Sequence, residues 1–260
     1  MRIAMAVEYD GSGYSGWQLQ KDTSNTIQEV VEAAISKVAD ESVRVIVAGR
    51  TDTGVHATSQ IIHFDTVAER TERSWVFGTN TNLPKDVVAL WSRPVSDQFH
   101  ARFSAVRRAY RFVIYSRNVR PTFLAGRVTW THKELELKSM REAASCLIGE
   151  HDFSSFRAVG CQANSPIRTI TRLEVSQHGP YTYIDIEANA FLYHMVRNIA
   201  GVLMKIGSGE AEPEWCSEVL QLKDRTQAGV TAPAAGLYLV GVEYPQEFGL
   251  TQSAPSLTVW

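Results

Sequence analysis

Cysteine is scarce in this chain: three residues among 260, Cys146, Cys161 and Cys216, odd in number and far apart. That scarcity excludes a disulfide framework and a cysteine-rich zinc site, as expected of a cytoplasmic protein. No stretch approaches the ~20 consecutive apolar residues of a membrane span, and the first residues enter a strand pattern directly, without a leader. The seven histidines are scattered without paired ligand spacing, so no metal is expected. The formal net charge of −2 gives no global sign of a polyanionic partner. Locally, however, acids are missing where bases gather. Residues 98–133 hold seven arginines (102, 107, 108, 111, 117, 120 and 127), one lysine and no acid, where an even spread would place about four acids.

Aromatic side chains interleave with that basic run: Phe99, Phe103, Tyr110, Phe112, Tyr115, Phe123 and Trp130. Positive charge alternating with aromatic faces suits an RNA whose bases can stack. Two later segments also lack acids, 153–173 with Arg157, Arg168 and Arg172, and 188–209 with His194, Arg197 and Lys205. Taken singly, each is an ordinary solvated basic face. Together, with the acids concentrated elsewhere, they favour RNA or another phosphate-bearing partner. No zinc-finger or bZIP pattern points to sequence readout of a duplex.

A hydrophobic content of 44% in 260 residues suffices for one large domain or two small ones. In the first hundred residues, 2–9 alternates as a strand. Thr26 opens a helix, with Glu29 completing a capping box, and further strands are predicted at 43–48, 60–65 and 87–92 with a helix at 72–82 between the last two. Strand, helix, strand, strand, helix, strand is the split order of a ferredoxin-like unit. The order recurs as a strand at 109–115, a helix at 137–147, strands at 167–177 and 181–188 joined at Gly179-Pro180, a helix at 192–206 and a strand at 236–242. The loop 149–166 and a short helix near 214–220 are extra. The fold class expected is therefore α+β: two ferredoxin-like (βαββαβ) subdomains, 1–104 and 105–245, with mainly antiparallel sheets flanking a central basic cleft. A tail, 246–260, is expected to be loosely held.

One nine-residue run carries the chemistry: Gly49-Arg50-Thr51-Asp52-Thr53-Gly54-Val55-His56-Ala57. It follows a predicted strand, and glycines on both shoulders allow sharp turns and close approach of a ligand. A cation two residues before the acid favours its ionised form, and an ionised carboxylate at the end of a strand can act as a covalent nucleophile. Taken alone, Asp-Thr-Gly is more often a turn in which the acid caps its own backbone. Other motifs explain less. Gly11-Ser12-Gly13-Tyr14-Ser15-Gly16 matches a dinucleotide fingerprint, yet the next helix starts near Thr26 rather than within the glycines. An aspartic protease shares a proton between two carboxylates, and only one Asp-Thr-Gly is present. Cys161 has no base beside it in sequence.

The run 49–57 resembles the catalytic motif of the tRNA pseudouridine synthase A family, which isomerises uridines 38, 39 and 40 of the anticodon stem-loop. Four further segments resemble the same family in the expected order: Arg107-Arg108-Ala109-Tyr110-Arg111-Phe112, the stretch from Gly149 to Arg157, Phe191-Leu192-Tyr193-His194-Met195-Val196-Arg197-Asn198, and Ala232-Pro233-Ala234-Ala235-Gly236-Leu237-Tyr238. Phe112 stands where tyrosine is common, and Ala234-Ala235 replaces a more usual Pro-x pair. The resemblance implies that Asp52 is the nucleophile, attacking the sugar C1′ or the base C6 so that uracil detaches, rotates and rejoins through C5. It implies that Tyr110 stacks on the base and can take the C5 proton, that Arg50 assists extrusion of the nucleotide, and that Arg197 pairs with Asp52. Arg107, Arg108, Arg111, Arg157 and Lys205 are candidate RNA contacts. No metal or other cofactor is implied, since the reaction is an isomerisation. A homodimer that cradles tRNA across both subunits is implied. The alternative is a non-catalytic RNA-binding module, which would have no need of an Arg-x-Asp pair in a glycine turn.

Overall fold

The computed structural model describes residues 1–19 and 25–250. Ten strands and five α-helices follow one another as β1 (Arg2–Tyr9), α1 (Ile27–Ala39), β2 (Ile46–Val47), β3 (His56–Asp65), α2 (Glu72–Asn82), β4 (Val87–Val95), β5 (Arg107–Ser116), β6 (Thr129–Thr131), α3 (Leu137–Ser145), β7 (Gly149–Asp152), β8 (Ile167–His178), β9 (Tyr181–Ala188), α4 (Met195–Gly207), α5 (Trp215–Leu222) and β10 (Leu237–Glu243) among the described residues. The chain is α+β and divides into two units. One comprises Met1–Arg108 with the C-terminal residues from Tyr238, and the other comprises Ala109–Leu237. The boundaries expected at 104 and 245 are therefore shifted. The last strand returns to the first unit, where β10 runs parallel to β3 with Tyr238 opposite His56 and Leu239 opposite Ala57.

In the first unit β1 lies between β3 and β4 and is antiparallel to both. Residues Ile3 to Val7 are all at most 1% exposed, so both faces of this strand are covered rather than one. Ala4 and Ala6, facing away from Ile3, Met5 and Val7, join a cluster with Phe99, Ala101, Tyr244 and Leu250, against which Phe248 packs. The expectation of a loose tail over 246–260 is thus corrected as far as Leu250: small side chains on β1 leave an apolar shelf that this segment covers. Residues 251–260 of that tail lie outside the described residues.

Helix starts follow local chemistry. The Thr26 hydroxyl accepts from Glu29 N (3.3 Å), and the Glu29 carboxylate accepts from Asn25 N (3.0 Å), one residue before the cap. The strand expected at 43–48 shrinks to Ile46–Val47 because side chains capture its donors: Val43 N donates to Ser36 Oγ (2.9 Å) and Val45 N to Glu32 Oε1 (3.0 Å).

A buried imidazole gives this unit an acid limit. His63 on β3 is 1% exposed, and its Nδ1 accepts from Ala101 N (3.0 Å). Burial, with the positive charges of Arg2 and His100, pushes its pKa from 6.5 down to about 4. The unfolded chain therefore binds a proton that the folded chain refuses between those values, and stability falls as pH drops from about 6.5 to about 4. We expect a loss of up to about 3 kcal/mol across that window. Urea unfolding at pH 7 and pH 5 checks this: His63→Gln should flatten the difference, and an unchanged difference would rule out His63 as its source.

In the second unit β8 is antiparallel to β7 and to β9, β5 neighbours β9, and β6 runs parallel to β5. Helix α3 packs on β8 and α4. Helix α4 begins at Met195, three residues later than predicted, because His194 takes the left-handed conformation (φ 59°) at its N-cap. Strand β7 lies in what was predicted to be loop 149–166. Its sequence, Gly-Glu-His-Asp, has no apolar alternation, and pairing with β8 alone makes it a strand.

Candidate active site

Asp52 sits in the first unit, in the turn between β2 and β3, with its side chain half-buried, Thr51 buried and Arg50 exposed. The backbone around it is held from several directions. Trp17 N donates to Thr51 O (2.9 Å), and Val55 N closes the turn on Asp52 O (3.1 Å). Tyr9 and Thr51 share a hydroxyl–hydroxyl bond of 2.7 Å. Gln60 Nε2 donates to Gly49 O (2.7 Å) and to Tyr9 OH (3.3 Å). Burial pushes the Tyr9 phenol up to about 12, so it acts here as a neutral hydroxyl.

The second support is the glycine-rich segment 11–16, which follows β1 and was a weak cofactor motif in the sequence. Two of its glycines, Gly11 and Gly16, pack directly on the Asp52 turn. A Cβ on Gly11 would stand 1.9 Å from Val55 O, and one on Gly16 (φ +88°) would stand 2.8 Å from Thr51 O and 3.1 Å from the Asp52 carbonyl carbon. Only a residue without a side chain fits at either place. Gly11 N donates to His56 Nδ1 (3.1 Å), and the His56 ring stacks on Tyr238 (centroids 4.6 Å apart). His56 and Tyr238 lie in the motif segments 49–57 and 232–238, whereas Gly11 and Gly16 were not among the expected site residues. The glycine spacing was the available signal, and its role emerges only once the two turns meet.

Tyr110, on β5 in the second unit, is 9% exposed, with Phe191 meeting its ring edge-on at 5.0 Å and 85°. Arg197 is half-buried on the first turn of α4, where its Nε donates to Ala232 O (2.8 Å) while Ala232 N returns a bond to Arg197 O (3.1 Å). A buried aromatic ring and a tethered guanidinium are chemically suited to a flat base and an anion, respectively.

Of the candidate RNA contacts, Arg107 and Arg108 end the first unit's share of β5. Arg107 Nε lies 3.3 Å from Glu243. Arg108 donates to three backbone oxygens, those of Ala105 (3.0 Å), Ala48 (3.1 Å) and Arg102 (2.6 Å). In the second unit Arg111 forms a fork with Asp185 (2.7 and 2.9 Å), and Arg157 ties its loop by donating to Cys161 O and Ala163 O (2.8 and 2.7 Å). The Lys205 ammonium sits 4.4 Å from the centre of the Trp215 ring. Each of these cations therefore has an intramolecular task that composition alone could not reveal. Among the described residues no cluster of three or more His, Cys, Asp or Glu could hold a metal ion, and no helix is long and apolar enough to cross a membrane.

A family model described as tRNA pseudouridine synthase matches residues 5–104 and 143–245. A protein named tRNA pseudouridine synthase A from Legionella pneumophila (strain Corby) is 54% identical over 261 residues, covering 100% of this chain and 99% of the relative. One of the same name from Nitrosococcus oceani is 55% identical over 260 residues, covering 100% of both. Another, from Pseudomonas aeruginosa, is 55% identical over 251 residues, covering 96% of this chain and 88% of the relative.

Proposed function

We propose a function from one premise: this chain belongs to the tRNA pseudouridine synthase family and is an isomerase. Within that family, the reading is conversion of uridine to pseudouridine at positions 38, 39 and 40 of the tRNA anticodon stem-loop, with Asp52 as nucleophile. The carboxylate attacks the target nucleotide, the glycosidic bond to N1 breaks with its electron pair left on the uracil, the uracil turns, a bond forms from C1′ to C5, and the bond to the carboxylate breaks, freeing Asp52. The C5 proton is then lost to the phenol oxygen of Tyr110 as its own O–H proton passes to water, and N1 takes up a proton from water, so the product is an isomer. The extruded base stacks on Tyr110, which replaces the stacking lost when it leaves the RNA. Arg50 assists extrusion, and Arg197 pairs with Asp52 and keeps it charged.

The observation that carries this reading is the Asp52 turn, a half-buried carboxylate on a backbone clamped by Trp17, Val55, Gly11 and Gly16. Rigid placement of a reacting group is a main source of rate enhancement. Arg107, Arg108, Arg111, Arg157 and Lys205 enter as contributors to the positive field that draws tRNA. The protein acts in the cytoplasm as a homodimer, each subunit built of two ferredoxin-like subdomains. In the first unit, the antiparallel strand order β4-β1-β3-β2 supports that plan.

Mapping tests the reading directly. Unmodified tRNA with uridines at 38–40, incubated with the purified protein and sequenced after carbodiimide treatment, is expected to gain pseudouridine there and nowhere else. Modification confined to other positions would overturn the site assignment, and none at all would leave RNA binding as the function.

A further inference from the structure

Arg197 is followed on α4 by Asn198, which is completely buried. The Asn198 amide is engaged at both ends: Nδ2 donates to Phe156 O (2.7 Å), and Oδ1 accepts from Arg225 Nη2 (3.0 Å) and Thr231 Oγ1 (2.7 Å). Arg225 reaches further. Its Nη1 donates to Gly229 O (3.0 Å) and Ala228 O (3.3 Å), and Nη2 also donates to Thr231 Oγ1 (2.8 Å). One guanidinium therefore pins the strap 228–231 to α4. The strap runs so close to the helix that a Cβ on Gly201 would stand 2.0 Å from Val230 O. It ends at Ala232, the residue whose carbonyl accepts from Arg197 Nε (2.8 Å).

A guanidinium is a planar fork, and fixing its Nε–H on one carbonyl sets the plane in which its four Nη hydrogens point. The acceptor must itself be immobile for that to hold. We propose that Arg225 is a positioning residue for the isomerisation: by anchoring the 228–232 strap through Asn198 and Thr231, it fixes the orientation of the Arg197 guanidinium. This rests on the reading that Arg197 acts at the reacting nucleotide. Lysine cannot replace Arg225, because its ammonium carries three donors on one nitrogen, whereas Arg225 reaches four oxygens from two nitrogens.

Two readouts test this. The first is turnover on tRNA: Arg225→Gln should lower kcat by about tenfold to a hundredfold, as a misplaced catalytic group does, with KM for tRNA changed by less than about threefold, and Arg225→Lys should not rescue it. The second is hydrogen exchange of the Arg197 Nε–H followed by NMR, assigned by its disappearance in Arg197→Lys. In Arg225→Gln this proton should exchange at least about tenfold faster, because its bond to Ala232 loosens. Thr231→Val removes two bonds from the network, those with Arg225 and Asn198, but leaves the Arg225 bonds to Ala228, Gly229 and Asn198, and should move both readouts the same way by less, which covers the case in which Arg225→Gln fails to fold. A folded Arg225→Gln, or failing that Thr231→Val, with unchanged kcat or an equally protected Arg197 Nε–H overturns the proposal. Full activity in Arg197→Lys instead sinks the catalytic reading of Arg197, and the exchange result then stands by itself.

Discussion

Asp52→Ala is expected to abolish isomerisation while leaving the fold and tRNA binding intact. A covalent nucleophile has no substitute: without the carboxylate the glycosidic bond is not attacked, and losses for removed nucleophiles reach about a millionfold. The fold should tolerate the change because the turn is held by main-chain and neighbouring groups. Trp17 N reaches Thr51 O, Val55 N reaches Asp52 O, and the Tyr9–Thr51–Gln60 bonds do not involve the Asp52 side chain. Tritium release from tRNA labelled at C5 of uridine measures the reaction, and filter binding measures affinity. Release at even a few per cent of the wild-type rate would end the nucleophile assignment. Loss of binding together with activity would mean that the carboxylate serves the fold.

The second large effect is expected at a neighbouring turn, at a residue with no side chain to take part in the chemistry. Gly11→Ala places a methyl carbon 1.9 Å from Val55 O and 2.8 Å from Val55 C, so one of the two turns must move. The obstacle is backbone, which cannot rotate aside as a side chain would. Overpacking of this kind costs about 1–3 kcal/mol, and a displaced Asp52 turn should cost about a hundredfold in rate. Gly13→Ala is the internal control, since a Cβ there meets nothing within 4 Å. Thermal melts and tritium release for the two variants should diverge sharply. Matching behaviour would mean that the 11–16 segment does not set the geometry of the catalytic turn.

Much of this was legible along the chain. Helix α2 occupies the predicted 72–82, and β1 and β9 lie where alternation put them, because local periodicity and capping act over a few residues. Asp52, Tyr110 and Arg197 were singled out by the resemblance of their segments to family motifs, and their roles are those proposed above. Other features were hidden for definite reasons. Strand β7 has a polar sequence and exists only by pairing with β8. Helix α4 starts late because His194 adopts a left-handed backbone that no sequence signal announces. The predicted strand at 43–48 lost its donors to Glu32 and Ser36, side chains of the preceding helix.

The amino-acid order by itself determined the order of all the elements except β6 and β7, the α+β class and the family, since these depend on short-range pattern and on motif residues read in series. Only the tertiary structure decided that β10 belongs beside β3, that residues up to Leu250 cover the alanine face of β1, and that Gly11 and Gly16 buttress the Asp52 turn. It also decided which cations are held internally: Arg108 on three carbonyl oxygens, Arg111 on Asp185, and Arg225 on the strap beside Arg197. The physical reason is common to all of these. A charge or a missing side chain has no fixed meaning until segments distant in sequence are brought within bonding distance, and only then is it settled which polar groups find partners inside the protein.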